Sequence, residues 1–291
     1  MERNLNWAAQ LFLVLFPAAV GCLLGSLILD PQGGIRFFVT SCATVALVFA
    51  VVGAAAPVLR IKKPLRSYRM LTGVGHSPLS RQAVLVSLFL LVLVVHWALV
   101  LAGMYALWLG ILAVVIGAAA VLAAGLTYQL GSQPAWRHWS TFLTLFAGLL
   151  ALGVSTSLVI ALGWRDVLVS GTAAGIATRV LVLVGVAGLG AAAWGWTRYL
   201  KKAGPRAAEA QALIQGEYRN DYRLGVFLAV LVAGVTAAVS FASSWLIIVA
   251  FVSLLIGLFL ARRLFFVVAV PLNWKSEVRL FALASAAGKE R

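Results

Sequence analysis

The chain has 291 residues, of which 63% are hydrophobic and only 11% are charged. Soluble domains carry about 25% charged residues, so this composition excludes a soluble enzyme. Apolar runs near the roughly 20 residues that cross the hydrocarbon layer recur along the whole chain. Because these runs are continuous, without the alternation typical of a membrane β-barrel, we expect an all-α polytopic membrane protein with one helical-bundle domain over residues 1–291.

Eight spans are predicted in chain order. They cover residues 7–29, 35–59, 83–101, 107–128, 141–162, 171–197, 224–241 and 245–266. The first is longer than a signal-peptide core and has no basic run before it, so we expect it to be a mature span. Between the third and fourth spans Gly103 and Met104 lead to Tyr105 without a charged residue, so that turn is inferred from length alone.

The net charge of +15 arises from 23 Lys and Arg residues against eight carboxylates, and most of the basic residues lie in alternate loops. One predicted side carries Arg3, the loop of residues 60–81, Arg137, the loop of residues 198–223, Arg262, Arg263 and the tail after residue 266. Arg36 and Arg165 fall on the other side. Because positive charge in short loops marks the cytoplasmic face, we expect both termini in the cytoplasm and the chain in a bacterial inner membrane. This distribution indicates membrane topology and not nucleic-acid binding.

No carboxylate falls inside a predicted span. The eight are Glu2, Asp30, Asp166, Glu209, Glu217, Asp221, Glu277 and Glu290. Proton-driven transporters and pumps usually relay protons or ions through intramembrane carboxylates. The sequence therefore disfavours both classes.

Cysteine and histidine are too few for a redox metal in this chain. The two cysteines, Cys22 and Cys42, lie in apolar runs, where a small buried hydrophobe is the ordinary interpretation. Of the three histidines only His96 is inside a span, and membrane haem is held between histidines of facing helices. A lone membrane histidine is more typical of a hydrogen-bonded helix contact. We therefore expect no haem, iron–sulfur cluster or other metal site here.

Arg179 is the other ionisable group placed well inside a predicted span. Such a group is a functional candidate by default. It lies near the outer end of its span, however, where a long side chain can snorkel to the interface. Both interpretations remain open for Arg179.

The most informative stretch is the basic loop between the second and third spans. It contains Arg60, Lys62, Lys63, Arg66, Arg69 and Arg81 and no acidic residue. Apolar residues recur there at helical spacing, which is typical of an interfacial helix facing anionic headgroups. One interpretation is therefore a purely lipid-facing or partner-facing loop, with Lys62, Lys63 and Arg69 as contacts.

A second interpretation is a quinone site at this loop. Arg60 closes the second span while Arg81 and Gln82 open the third, so they meet at one membrane surface. Polar donors above apolar walls suit a quinone head and its isoprenoid tail. We therefore predict quinone contacts from Arg60, Gln82, Arg81, Arg66 and His76.

Several short motifs resemble the membrane anchor subunits of bacterial dimethyl sulfoxide reductase and its relatives. In that family a Pro-x-Arg step follows the second helix and a Val-Gly-x-Ser-x-Leu-Ser stretch leads into the third. Residues 64–66 (PLR) and 74–80 (VGHSPLS) match these patterns. Tyr128 and residues 133–136 (QPAW) are similar to the Tyr and Pro-x-Trp pattern ahead of the family's fifth helix.

The resemblance implies a heterotrimer that works in anaerobic respiration. Its other members would be a molybdopterin catalytic subunit and a ferredoxin-like subunit with four iron–sulfur clusters. The anchor would hold them on the bilayer and exchange electrons with the quinone pool, either menaquinone or ubiquinone. This chain alone would have no turnover.

The chain departs from the family at the two positions linked to quinol oxidation. Members carry a His at the end of the second helix and a Glu at the start of the third, and these align with Arg60 and Gln82. Arg60 cannot accept a proton at neutral pH and Gln82 cannot titrate. Unless His76 replaces them, the proton-accepting pair is missing, although Arg and Gln can still bind quinone oxygens.

Three other functions stay open at this point. Relatives that oxidise sulfite and reduce quinone have similar anchors. A purely structural anchor, whose quinone site has decayed, would explain the two departures. A secondary transporter would show broken helices at matching positions of two halves, and the sequence shows no such pairing.

Overall fold

The computed structural model describes residues 7–59, 77–129, 136, 138–164, 173–202 and 205–267. Within them eight helices are long and apolar enough to cross a membrane. They are α1 (Trp7–Leu29), α2 (Arg36–Leu59), α3 (Pro78–Leu101), α4 (Leu107–Thr127), α5 (Trp139–Trp164), α6 (Ala173–Lys202), α8 (Arg219–Val239) and α9 (Leu246–Val267), with the shorter α7 (Pro205–Gln215) between α6 and α8. The prediction of an all-α, eight-helix, multi-pass membrane protein is confirmed.

Two helices begin five residues earlier than predicted. Helix α3 starts at Pro78 instead of residue 83, after Ser77 in extended conformation. Proline suits the first helical position because it lacks the N–H that would have no partner there. Helix α8 starts at Arg219 instead of residue 224, so the expectation that every carboxylate lies outside the spans is wrong for Asp221.

Helices α1 and α5 form the centre of the bundle. In each, 78% of the most apolar stretch is buried, against 22–50% in the other six membrane-length helices. They cross where Gly21 meets Gly153 and, one turn further, where Gly25 meets Ser157. A Cβ atom at Gly21 would overlap the carbonyl oxygen of Leu149. This small-xxx-small pattern lets two backbones approach closely, as membrane helices require for tight packing.

Helix α5 contains a π-helical segment, Leu149–Gly153, at this crossing. Gly185 of α6 packs against the backbone of Ala151 from another direction. The wide turn of α5 is therefore held between glycines of two neighbours. One continuous apolar core includes buried residues from all eight membrane-length helices.

Two turns pack together at the end of the bundle where α1 finishes. The Asp30 carboxylate accepts hydrogen bonds from the N–H groups of Gly34 (3.0 Å) and Ile35 (2.7 Å). Gly33, with φ +65°, lies against the ring of Tyr105 in the turn between α3 and α4. Burial, helped by the charge of Asp30, raises the pKa of Tyr105 to about 12. The turn inferred from length alone is therefore a packed structural feature.

Candidate functional site

The described basic side chains gather at one end of the bundle, which we call the basic end. It is the end where α1, α3 and α5 begin. It carries Arg81, Arg198, Lys201, Arg219, Arg223, Arg262 and Arg263, whereas Arg36 and Arg179 lie towards the other end. The basic end is the one that the charge distribution predicts to be cytoplasmic.

The predicted quinone loop is described only at its downstream edge. Arg60, Lys62, Lys63, Arg66, Arg69 and His76 lie outside the described residues. Arg81 and Gln82 are placed in the N-terminal part of α3, with Arg81 exposed and Gln82 buried. Because α3 starts earlier than predicted, these two residues lie within the helix and not at the end of the loop.

Gln82 combines burial with an unsatisfied polar atom. Only 8% of the residue is exposed, and its Oε1 has no hydrogen-bond partner among the described residues. An unsatisfied buried polar atom costs about 1–3 kcal/mol. The amide oxygen is therefore a buried hydrogen-bond acceptor near the basic end that no described residue satisfies.

Gln10 of α1 is a second buried amide at similar depth. Phe16 of α1 and Phe89 of α3 are in edge contact at 5.3 Å between ring centroids. At about 1.5 Å per residue, Gln10 lies about 9 Å before Phe16 along α1, and Gln82 lies about 10 Å before Phe89 along α3. The two amides are therefore at similar distances from the basic end. The Nε2 atom of Gln10 also lacks a partner among the described residues.

His96 is fully buried in the half of the bundle away from the basic end. It packs against Gly110 of α4 and the ring of Tyr105, whose centroid is 6.1 Å away. Neither ring nitrogen makes a hydrogen bond of good geometry to a described residue, although the Ala106 backbone is close enough to interact with it. The structure therefore places His96 at a helix–helix contact but does not supply the expected hydrogen bond. His138, the other described histidine, lies at the opposite end.

Arg179 is buried and joined to the turn between α8 and α9. Its Nη2 donates to Ser244 Oγ (3.1 Å), and its guanidinium lies 5.5 Å from the ring centroid of Phe241. These contacts give Arg179 a role in holding α6 to that turn. Neither a snorkelling side chain nor a ligand is needed to explain them.

The two cysteines lie in the interface between α1 and α2. Both are buried free thiols, and Cys22 Sγ donates to the backbone oxygen of Cys42 at 3.6 Å. This placement agrees with the interpretation of small buried hydrophobes. Among the described residues, no group of three or more His, Cys, Asp or Glu side chains is arranged to hold a metal ion.

The aromatic motif ahead of α5 forms a cluster at the basic end. Trp136 is buried and stacks on Phe265 of α9 at 5.2 Å, while Tyr128 packs edge-on against Trp136 at 5.4 Å. Burial raises the pKa of Tyr128 to about 12, because its ionised form would be desolvated. The motif residues therefore tie the connection between α4 and α5 to the last helix.

Sequence reasoning missed one site, at Arg262. It assigned this residue to topology, yet only 3% of Arg262 is exposed and its Nε has no partner among the described residues. Arg262 borders a cavity of about 80 Å³ between α5, α6, α8 and α9, whose walls are mostly apolar. The sequence does carry one indication of this burial: Arg262 lies inside the apolar run of the last predicted span, which ends only at residue 266.

Neither models of known protein families nor curated protein sequences match this chain.

Proposed function

We propose that this chain is the membrane anchor subunit of a heterotrimeric molybdenum oxidoreductase of the dimethyl sulfoxide reductase type. It docks the catalytic and iron–sulfur subunits to a bacterial inner membrane and exchanges electrons with the quinone pool. Supporting features are the eight membrane-length helices, the basic end and the motifs at residues 64–66, 74–80 and 133–136. Catalysis on the terminal substrate takes place in the partner.

The observation that carries the proposal is the buried Oε1 of Gln82. It lies at the basic end, next to the loop that carries Arg60 and His76 in the sequence. A quinol hydroxyl is an O–H donor on an apolar ring, and it would supply the partner that this oxygen lacks among the described residues. The isoprenoid tail would lie along the apolar helix surfaces.

The chemistry of Gln82 restricts what it does at such a site. An amide can orient a quinol hydroxyl or a quinone oxygen, but it cannot take up the proton released on oxidation. Proton acceptance then falls to His76, since a neutral imidazole has a nitrogen that can accept a proton. Arg60 and Arg81 would supply donors for a quinone oxygen at the mouth of the site.

The partners are tested by isolating the intact assembly. A tag on the full chain, followed by mild detergent extraction from native membranes, is expected to recover an iron–sulfur protein with four clusters and a molybdopterin enzyme. Metal analysis should then find molybdenum and iron in the purified assembly. Recovery of the chain with neither metal, under conditions that preserve other respiratory complexes, would contradict the proposal.

A further inference from the structure

Arg262 is a buried cation whose charge is not balanced by a described carboxylate. Its neighbour Arg263 is 41% exposed and forms an ion pair with Asp221 at 3.3 Å. Arg262 instead lies beside apolar walls, 5.7 Å from the ring centroid of Phe265. Its Nε, like that of Arg263, has no hydrogen-bond partner among the described residues. Burying an isolated charge is costly unless a partner compensates it. The cavity beside Arg262 is therefore suited to an anionic or strongly accepting group.

A second cavity at the basic end is larger and strongly basic. Its volume is about 530 Å³, and α6, α7 and α8 border it. Lys201, Arg219 and Arg223 line this space, and among the side chains that the structure describes no carboxylate does. Helix α7 closes one side with Ile214, which is buried against the bundle in the same apolar cluster as Trp136 and Phe265. Basic pockets between transmembrane helices on the cytoplasmic side are typical binding places for lipid headgroups.

Tyr222 joins the two spaces. It lines both the basic cavity and the apolar cavity that contains Arg262. Three basic side chains line the first space together with Tyr222, and mostly apolar side chains from α5, α6, α8 and α9 line the second. A ligand that suits both spaces has an anionic head and an apolar tail.

We infer that the basic end binds one anionic phospholipid, with its phosphate among Lys201, Arg219 and Arg223, its ester groups beside Tyr222 and Arg262, and an acyl chain that continues along the apolar walls of the cavity. The Nε of Arg262, which no described residue satisfies, donates to an ester oxygen of the lipid. This site is separate from Gln82, and it does not depend on the proposed quinone function. It would anchor α7 and the ends of α8 and α9 to the anionic leaflet.

The test is lipid binding to the purified full-length protein, in its complex where one is recovered. Native mass spectrometry in detergent compares phosphatidylglycerol with phosphatidylcholine of the same acyl chains. We expect saturable binding of phosphatidylglycerol and at least tenfold weaker binding of phosphatidylcholine. Arg262→Gln should weaken phosphatidylglycerol binding about ten- to a hundredfold, the range for loss of a charged hydrogen bond.

Two further variants keep the test decisive if Arg262→Gln fails to fold. The double variant Arg219→Gln with Arg223→Gln changes side chains at the basic cavity and should weaken phosphatidylglycerol binding by a similar factor. Arg263→Gln is the matched control, because it removes an adjacent arginine that already has a carboxylate partner; we expect less than a threefold change.

Inorganic phosphate separates a lipid from a free anion. We expect millimolar phosphate to leave phosphatidylglycerol binding unchanged, because it lacks the acyl chain. Full displacement by phosphate would overturn the lipid assignment. Equal binding of the two lipids, or unchanged binding in both the Arg262 variant and the double variant, would also overturn it.

Discussion

The indole Nε1 of Trp136 donates a hydrogen bond of 2.8 Å to the backbone oxygen of Phe265. Trp136 lies between α4 and α5, and Phe265 lies near the end of α9. The same two residues stack with an interplanar angle of 10°. A single residue of the Pro-x-Trp motif thus joins the middle of the chain to the last membrane-length helix.

Trp136→Phe should remove the hydrogen bond and keep much of the ring contact. We expect a loss of about 1 kcal/mol in the free energy of unfolding, and about 3–5 kcal/mol for Trp136→Ala, which also leaves a cavity. Thermal unfolding in detergent measures both. Trp108→Phe is the control, since Trp108 is 66% exposed on the outer surface of α4. Equal losses at Trp108 and Trp136 would contradict a specific role for the bond.

The spans were predictable because length and apolar composition alone identify a membrane helix. The starts of α3 and α8 were not, because both helices begin in polar segments whose helical conformation depends on contacts with neighbouring parts of the fold. Asp221 illustrates this: it enters α8 beside its partner Arg263, which lies 42 positions later in the chain. A pairing between residues so far apart in the chain leaves no pattern in the sequence near either residue.

The glycine crossing of α1 and α5 provides a matched pair of substitutions. Gly153→Ala would place a methyl group against the Cα of Gly21 (2.5 Å) and the backbone oxygen of Ala18 (2.7 Å), so we expect destabilisation by about 1–3 kcal/mol. Gly148→Ala, also helical and in α5, would meet Leu258 at 3.8 Å, an ordinary contact. It should be neutral or stabilising by up to about 1 kcal/mol. Thermal unfolding of both variants tests the crossing, and similar effects at the two sites would contradict it.

His138 gives α5 a pH-sensitive N-cap. Its Nδ1 accepts from the backbone N–H of Ser140 at 3.2 Å, and burial lowers the pKa of His138 from its ordinary value of 6.5. Because the folded pKa is below the unfolded one, neutral His138 stabilises the fold fully above pH 6.5, and this contribution is lost as pH falls through the lowered pKa. We therefore expect the unfolding temperature to decrease as the pH is lowered below 6.5. His138→Asn keeps a capping oxygen without titrating, so it should reduce this pH dependence; an unchanged pH profile would contradict the assignment.

The orientation of the bundle is tested by labelling single cysteines in a background with Cys22→Ser and Cys42→Ser. We expect Gln215→Cys, at the basic end, to react only with a reagent that enters the cytoplasm. Met104→Cys, 58% exposed in the turn between α3 and α4, should react from the outside. The reverse pattern would show that the positive charge does not mark the cytoplasmic face in this chain.

The candidate sites were predictable to different degrees. Gln82 stood out in the sequence because it aligns with a family position. Its buried, unpartnered oxygen depends on how α3 packs, which one sequence does not encode locally. Arg262 had no such guide, because a basic residue near the end of a span usually reports topology. Its burial beside a mostly apolar cavity results from the packing of four helices, which the local sequence does not reveal.

Binding of quinol at Gln82 is tested most directly by comparing two activities of the purified complex. One is driven by quinol and the other by a reduced dye that bypasses the anchor. Gln82→Ala should weaken quinol affinity about two- to tenfold, the equivalent of about 0.5–1.5 kcal/mol for one neutral hydrogen bond, and leave the dye activity unchanged. Gln10→Ala removes another buried amide at similar depth and should leave both activities unchanged. Unchanged quinol activity in Gln82→Ala, or an equal fall of both activities in the two variants, would contradict a quinone site at Gln82.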